Sequence, residues 1–236
     1  MQTKPPTDAV AMLELQSIHK SFHDGETELS VLRGVDLVLG PGSSVALMGA
    51  SGSGKSTFLQ IAAGLDAPDA GEVRLMGKSL TTLREPDLAR LRRRYLGFVF
   101  QQFNLLPGLT VRDNVLFQRR LNGLGDKDTW VEHLVDDLEL SALMDRSVER
   151  LSVGEQQRVA IGRALAHRPR LIFADEPTGN LNEALSEQIM RMFRDLVARA
   201  SCGLVMVTHN RRMAAFTEKQ WILEGGRLHA AASDAA

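Results

Sequence analysis

The sequence lacks the features typical of secreted and membrane-spanning proteins. It has a single cysteine, Cys202, which excludes an intramolecular disulfide and a cysteine-rich zinc site. No apolar run approaches the roughly 18 residues that a membrane-spanning helix needs. Pro5, Pro6 and Asp8 stand where a secretory signal peptide needs an apolar stretch. We therefore expect a cytoplasmic chain, with any membrane part supplied by another polypeptide.

An excess of charge of either sign is also missing. The 236 residues include 28 Lys and Arg and 29 Asp and Glu, a formal net charge of −1. This balance argues against a general nucleic-acid binder, so we expect no nucleic-acid partner. A content of 44% hydrophobic and 24% charged residues is typical of a folded globular protein. The length suits one compact domain, or one domain with a smaller inserted lobe.

Two kinds of strand pattern divide the chain. Alternating apolar and polar residues between turn signals predict an antiparallel group near the start, at 13–16, 29–32 and 35–39. Short, fully apolar runs predict buried strands of a parallel sheet, at 45–48, 171–174 and 204–207. Helical patterns occupy 55–63, 183–200 and most of 85–165. The order of these elements predicts an α/β fold.

A phosphate-binding pattern follows the first buried strand. The run Gly49-Ala50-Ser51-Gly52-Ser53-Gly54-Lys55-Ser56-Thr57 matches G-x-x-x-x-G-K-[ST], the P-loop. Its glycines let successive backbone N–H groups face phosphate oxygens, and the next helix adds its positive end. Lys55 supplies a charge to the terminal phosphates and Ser56 a hydroxyl to Mg²⁺. The alternatives are a plain Gly/Ser turn and a dinucleotide-binding fingerprint, which needs glycine where Thr57 stands.

Two acids end the second buried strand. Asp175 and Glu176 follow the apolar run 171–174. A P-loop enzyme needs an acid at the tip of a neighbouring strand to hold Mg²⁺, which is the role predicted for Asp175. Glu176 is placed to polarise the water that attacks the γ-phosphate. On its own this pattern is also typical of a strand that simply meets solvent.

The ordered set of motifs resembles the ATP-binding-cassette (ABC) ATPases, the nucleotide-binding subunits of ABC transporters. The likeness extends from about residue 13 to residue 229. Residues 151–158 read LSVGEQQR, similar to the family signature LSGGQ, and open a helix expected over 155–167. The other family positions fall on Gln101 (Q-loop), Leu181-Asn182 (end of the D-loop), His209 (switch histidine) and Phe22 (adenine stacking).

The resemblance implies a single ABC ATPase domain over 13–229, with a P-loop NTPase (RecA-like) core. It implies an N-terminal antiparallel β subdomain at about 13–45, a nucleotide-binding core at about 45–100 and 165–229, and an inserted helical subdomain at about 102–164. Residues 1–12 and 230–236 are expected to be flexible termini. The implied cofactors are ATP and Mg²⁺.

The resemblance also implies roles for the site residues. Glu176 is the expected general base, with His209 and Gln101 orienting the water and the γ-phosphate. Ser56, Gln101 and Asp175 are the expected ligands of Mg²⁺. In the family two cassettes pack head to tail, so Ser152, Gly154 and Glu155 are expected to contact the ATP of the partner in a homodimer.

Two positions depart from the family pattern. Val153 replaces the first glycine of the signature, and a β-branched residue there disfavours a left-handed backbone. Asn182 replaces the D-loop aspartate and removes a charge between the two sites. Glu155 in place of glutamine is a familiar variation. Hydrolysis is therefore expected to survive with weaker communication between the sites.

The stretches 97–107 and 174–181 resemble one branch in particular, the ATPases of bacterial lipoprotein-release, macrolide-export and cell-division systems. This branch implies a separate integral membrane permease subunit and a cytoplasmic ATPase peripheral on the inner face of the cell membrane. The groove from Gln101 to Leu106, with the inserted helices, is expected to receive a helix of that subunit through Phe103, Leu105 and Leu106.

Other functions remain open at this point. A soluble, non-transport ABC-type ATPase in cofactor assembly has a similar size. A P-loop kinase leaves residues 151–157 and His209 unexplained. The basic cluster Arg90, Arg92, Arg93 and Arg94 is typical of a solvated helix face, and its functional interpretation is contact with lipid headgroups.

Overall fold

The computed structural model describes residues 10–25 and 27–231 as two sheets with helices around them. The larger sheet has six strands in the order β10-β9-β3-β8-β7-β6. All its neighbours are parallel except β10, which is antiparallel to β9. Its strands are β3 (Ser44–Met48), β6 (Leu96–Val99), β7 (Leu171–Asp175), β8 (Gly203–Val207), β9 (Lys219–Glu224) and β10 (Arg227–Ala230). The predicted α/β fold is confirmed.

The smaller sheet is antiparallel, with the order β2-β1-β4-β5. Its first two strands, β1 (Leu13–Asp24) and β2 (Thr27–Leu39), form one long hairpin. They replace the three short strands that the pattern predicted. The sheet is completed by β4 (Ala70–Leu75) and β5 (Lys78–Ser79), which the sequence analysis placed in the nucleotide-binding core.

The helices pack beside these sheets. Two flank the larger sheet close to its buried strands: α1 (Lys55–Ala62) follows β3, and α6 (Glu183–Arg199) joins β7 to β8. The remaining helices are α2 (Glu85–Tyr95), α3 (Val111–Leu121), α4 (Thr129–Asp137), α5 (Val153–Leu165) and the short α7 (Arg211–Ala214). Among the described residues, none of these helices has the length and hydropathy that a membrane crossing requires.

Successive side chains of the central strands point to opposite faces of the sheet, and this alternation divides the core into two layers. In β7, Leu171 and Phe173 pack with α1 and the antiparallel sheet, whereas Ile172 and Ala174 pack with α5 and α6. All four are fully buried, because a parallel strand is covered on both faces. The polar residues that follow each strand therefore emerge together at the carboxyl edge of the sheet.

The chain ends differ in part from the expected flexible termini. Met12 is buried, and its N–H donates to the carbonyl of Leu39 at 2.8 Å. Ala230 pairs with Trp221 as the last residue of β10. Residues 1–9 and 232–236 lie outside the described residues. The division into three subdomains otherwise stays a prediction.

Candidate nucleotide site

The P-loop joins β3 to α1 at the carboxyl edge of the larger sheet. Its last glycine, Gly54, is the N-cap of α1 and has the left-handed φ of +100°. A Cβ there would lie 2.6 Å from Cγ1 of Val31, a stiff side chain on β2. At Gly49 a Cβ would lie 2.6 Å from the carbonyl of Leu223. Glycine is therefore required at both positions, by backbone angle and by space.

The donors of this loop suit an anion. The first turn of α1 has no side-chain cap, so its backbone N–H groups are available. Lys55 is buried, and its Nζ donates to the carbonyls of Gly49 at 3.0 Å and Ala50 at 2.9 Å. The hydroxyl of Ser53 is buried with no hydrogen-bond partner among the described residues. These groups together form a cradle that fits the oxygens of a polyphosphate.

Asp175 ends β7, two strands from the P-loop. Partial burial raises the pKa of its carboxyl, as does the charge of Glu176, while the charge of Lys55 lowers it. Lys55 and Asp175 are thus close enough to interact, although 120 residues separate them in the sequence (175 − 55). The fold brings together the predicted phosphate-binding and metal-binding residues.

Glu176 lies in a network of hydrogen bonds at the ends of β7 and β8. Its Oε1 accepts from the backbone N–H of His209 at 3.0 Å and contacts His209 Nδ1 at 2.8 Å. Its Oε2 accepts from the hydroxyl of Thr208 at 3.1 Å. Glu176 has a left-handed φ of +45°, a conformation that costs a non-glycine residue about 1–2 kcal/mol. The network keeps the carboxylate of this residue in one orientation although its backbone is strained.

Thr208 is a member of this network that the sequence analysis missed. Its signal was its position, since it is the first hydroxyl residue after the apolar strand β8 and precedes His209. The Glu176 side chain is 14% exposed and that of His209 is 68% exposed. The carboxylate is thus sheltered, while the imidazole faces solvent.

Gln101 reaches the same edge from β6. A Cβ on Gly179 would lie 3.0 Å from Gln101 Nε2, so glycine allows the loop after Glu176 to pack over this amide. Asn180 Nδ2 also donates to the carbonyl of Gln101 at 2.8 Å. The structure therefore places Gln101 against the segment that follows the two acids.

A second contact holds the segment that follows Gln101. Phe103 and Asn104 have left-handed φ values of +58° and +47°. Their carbonyls both accept hydrogen bonds from Arg163, near the end of α5, at 2.7 Å for Phe103. Arg163 carries no local signal in the sequence, since its contact partners lie about 60 residues away.

Phe22 lies on β1 and is 44% exposed, with Lys20 Nζ 5.5 Å from the ring centroid. It pairs across the hairpin with Leu29. The pairing of β1 with β2 shifts between Lys20 and Ser21, which leaves Val31 as the extra residue of a bulge, and Val31 borders Gly54. The ring is thus partly exposed on β1, as an aromatic side chain that stacks on a base must be, and its place beside ATP stays a prediction.

The signature begins α5 two residues earlier than the sequence pattern predicted. Ser152 is the N-cap, Val153 is the first helical residue, and Gly154 lies within the first turn. Val153 has no positive φ, so its β-branched side chain causes no strain and the expected conflict at this position is wrong. Gly154 is buried, with its Cβ position facing Leu185 of α6.

Ser152 and Glu155 form a capping box. Glu155 Oε2 accepts from both the N–H and the hydroxyl of Ser152 at 2.7 Å. These hydrogen bonds hold the pKa of the Glu155 carboxyl below its usual range. In the part of the chain that the structure describes, no hydrogen bond joins these two residues to the P-loop.

The described residues hold no group of three or more His, Cys, Asp and Glu side chains arranged for a metal ion. A cation at this edge would therefore depend on a hydroxyl, Asp175 and phosphate oxygens. Ser56, in the exposed first turn of α1, supplies such a hydroxyl. This donor set is all oxygen, which suits Mg²⁺.

Comparison with known proteins agrees with this geometry. The family model described as "ABC transporter" matches residues 32–179. The lipoprotein-releasing system ATP-binding protein LolD of Legionella pneumophila (strain Lens) is 40% identical over 222 residues, 93% of this chain and 97% of its own length. The macrolide export ATP-binding/permease protein MacB of Marinobacter nauticus is 42% identical over 219 residues, or 92% of this chain. The chain spans only 34% of that MacB protein.

Solved structures show the same likeness. The dimeric structure of MJ0796, a bacterial ABC transporter cassette, superposes with a TM-score of 0.84 at 37% identity, covering 92% of this chain and 97% of that one. The same cassette in a post-hydrolysis state bound to ADP and Pi gives a TM-score of 0.83 at 36% identity, with the same coverage. The chain belongs to the ABC transporter family, as one of its nucleotide-binding, ATP-hydrolysing cassettes.

Proposed function

We propose that the chain hydrolyses Mg-ATP with Glu176 as the general base, and that this hydrolysis drives a separate membrane subunit. The observation that carries the catalytic part is the sheltered Glu176 carboxylate, oriented by Thr208 and His209 beside Asp175. A base must be held within hydrogen-bond reach of the proton that it takes, and this network supplies such a fixed position.

The residues act in distinct ways. Lys55 and the backbone N–H groups of α1 bind the phosphate chain, and Phe22 stacks on the adenine. Glu176 takes a proton from the attacking water, while Gln101 and His209 orient that water and the γ-phosphate. Ser56 and Asp175, with Gln101, would hold Mg²⁺, which neutralises phosphate charge when bound.

The catalytic test is Glu176→Gln, which keeps the size and polarity of the side chain but removes the base. We expect turnover to fall by roughly 10²–10⁴, typical of the loss of a general base, with ATP affinity retained. Glu187→Gln is the matched control, since Glu187 is a carboxylate on α6 whose ion-pair partner within the described residues is Arg191. Hydrolysis at the parental rate in Glu176→Gln would show that another group is the base.

We further propose that two copies pack head to tail. The signature is bonded within its own helix and not to its own P-loop, which leaves the N-terminal end of α5 for the ATP of a partner. The Glu176→Gln variant should therefore form a dimer with ATP and remain monomeric with ADP, measured by light scattering. A monomer in both nucleotides would contradict the head-to-tail arrangement.

The membrane subunit is proposed to dock in the groove between β6 and the inserted helices. A cavity of about 180 Å³ there is lined by Phe100, Leu106 and Phe117. A second of about 200 Å³ beside it is lined by Phe103 and Leu105. Both cavities mix these apolar side chains with polar ones, and the apolar side chains suit a helix that lays its apolar face into a groove.

Alanine substitutions at Phe103, Leu105 and Leu106 should abolish binding of the membrane subunit while basal hydrolysis continues. Leu65→Ala is the matched control, because Leu65 is a half-exposed apolar side chain outside both cavities. Recovery of the membrane subunit with the groove variants would place its docking site elsewhere.

The system is identified by a pull-down of tagged Glu176→Gln from detergent-solubilised host membranes with ATP, read by mass spectrometry. A stoichiometric protein with few spanning helices and a large outer domain supports release of lipoproteins, export or mechanotransmission from the inner face of the membrane. Soluble proteins alone, despite ATP-dependent dimerisation, would favour a cofactor-assembly ATPase.

A further inference from the structure

A cationic cavity lies at the amino end of the larger sheet, opposite the nucleotide site. Its volume is about 550 Å³, and it lies where β6 and β7 begin. In residues 10–25 and 27–231 no acidic side chain lines it, whereas five arginines do: Arg90, Arg93, Arg94, Arg168 and Arg170. The P-loop and both acids of the nucleotide site are absent from its lining.

Three of these charges are uncompensated. Arg90 pairs with Asp87 at 3.0 Å, and Arg168 with Asp128 at 3.6 Å. Arg93, Arg94 and Arg170 form no ion pair with any residue that the structure describes. Like charges gathered around one space repel each other, and an anion in that space would relieve the repulsion.

The walls of the cavity are fixed by the fold. Asn122, at the end of α3, donates to the carbonyl of Arg93 at 2.8 Å. The backbone N–H of Arg170 donates to the carbonyl of Tyr95 at 2.8 Å. The arginine side chains therefore extend from backbone that is anchored on both sides of the cavity.

A buried imidazole also lines the cavity. His167 lines the cavity and is only 5% exposed, and its Nε2 bonds to the carbonyl of Leu96 at 3.0 Å. Its Nδ1 is buried with no partner within the described part of the chain. Burial lowers the pKa of this imidazole to about 4, so it is neutral at pH 7 and Nδ1 is an acceptor. Nδ1 is closed to solvent, so the imidazole contributes a neutral wall to the cavity and no charge.

We propose that this cavity binds a phosphate group, held by Arg93, Arg94 and Arg170. Guanidinium groups suit phosphate because their planar donors match its oxygens. The phosphate comes either from an anionic lipid headgroup or from free phosphate. His167 also lines the docking groove, so the lipid source rests on the proposed membrane docking, whereas the anion site itself does not.

The test compares two triple variants of equal net charge. Arg93→Gln/Arg94→Gln/Arg170→Gln removes the three unpaired cations of the cavity. Arg191→Gln/Arg194→Gln/Arg227→Gln removes three exposed arginines that do not line it. All proteins are loaded with Mg²⁺ and a non-hydrolysable ATP analogue, which fills the γ-phosphate position, so that the nucleotide site is not the phosphate site measured.

Two probes distinguish the sources. Co-sedimentation uses phosphatidylcholine vesicles with and without phosphatidylglycerol, and calorimetry uses inorganic phosphate. Each arginine near an anionic membrane strengthens binding about fivefold, so the cavity variant should lose about 100-fold in affinity for the phosphatidylglycerol vesicles and the control far less. Loss of phosphate binding alone, with vesicle binding equal in both variants, would identify free phosphate as the source.

Equal binding of both probes by the two triple variants would overturn the proposal. Melting temperature and Mg-ADP affinity check folding, and Arg94→Gln alone repeats the comparison if the triple variant is unstable. The vesicles contain no membrane subunit, so failure of the proposed docking leaves this result unchanged.

Discussion

The P-loop and the signature are both glycine-containing turns that begin a helix, but their neighbours differ. Gly49 and Gly54 of the P-loop lie against Leu223 of β9 and Val31 of β2, with backbone angles that favour glycine. At the signature, Ser152 and Glu155 cap their own helix, and Gly154 faces the flexible end of Leu185. Distant strands thus shape the P-loop, whereas local helix chemistry shapes the signature.

The largest effect on stability is expected at the P-loop, from Gly54→Ala. The added Cβ meets Val31 on a left-handed backbone, so we expect a loss of about 3 kcal/mol in the free energy of unfolding, measured in urea. Binding of a fluorescent ATP analogue should weaken as well. Gly123→Ala is the control, since Gly123 is left-handed with open space around its Cβ position. Gly123→Ala should lower the free energy of unfolding by about 1 kcal/mol. Equal losses in Gly54→Ala and Gly123→Ala would show that Val31 does not shape the loop.

The next effect is expected at the signature, from Glu155→Ala. Loss of the capping box should cost about 1 kcal/mol near neutral pH. Because hydrogen bonds to Ser152 lower the pKa of Glu155, its contribution is present above about pH 4.5 and is lost as the pH falls through the folded-state pKa. Urea unfolding at several pH values measures this difference. A stability difference between the parent and Glu155→Ala that stays constant below about pH 4.5 would contradict the role of the carboxylate.

Gly154→Ala should change stability by less than about 1 kcal/mol, because a gain in helix propensity offsets the shift of Leu185. Hydrolysis should change little, since the added Cβ points into the chain and leaves the N–H in place. Unfolding in urea and steady-state hydrolysis measure the two effects. A severe loss of hydrolysis at parental stability would show that the partner approaches this glycine closely.

The smallest effect on stability is expected from Asn182→Asp, because both side chains cap a helix well. Asn182 accepts from the N–H of Leu185 at 3.0 Å, so the change should stay within about 0.5 kcal/mol. The added charge should alter the Hill slope of hydrolysis against ATP. Asn182→Ser keeps a cap without charge and serves as control. An unchanged slope and rate in Asn182→Asp would contradict a role in communication between sites.

The sequence predicted what local pattern encodes. The P-loop, the acids after β7 and the helix between β7 and β8 all lie where residue types and spacing indicated. Phe22, which on sequence alone is more typical of a core residue, is 44% exposed. These features depend on runs of neighbouring residues, which a single sequence displays.

Long-range contacts were missed because no local signal marks them. The pairing of β4 with β1 joins segments about 55 residues apart, and so escaped a pattern based on neighbours. Arg163 and His167 looked like ordinary helix residues until the fold buried them against β6 and its loop. The early start of α5 followed from the Ser152 cap, whose glutamate three residues later was visible in the sequence.

Arg163 has a consequence for how force passes through the protein. The 13 residues of α5 extend about 20 Å. Ser152 caps one end, and near the other end Arg163 donates hydrogen bonds to the carbonyls of Phe103 and Asn104. In a head-to-tail dimer the first end touches the nucleotide of the partner, and the second holds the loop beside the chain's own Gln101. If two copies pack in the proposed way, α5 would connect the two ATP sites, and a displacement at one site would be transmitted to the loop and the groove beside the other.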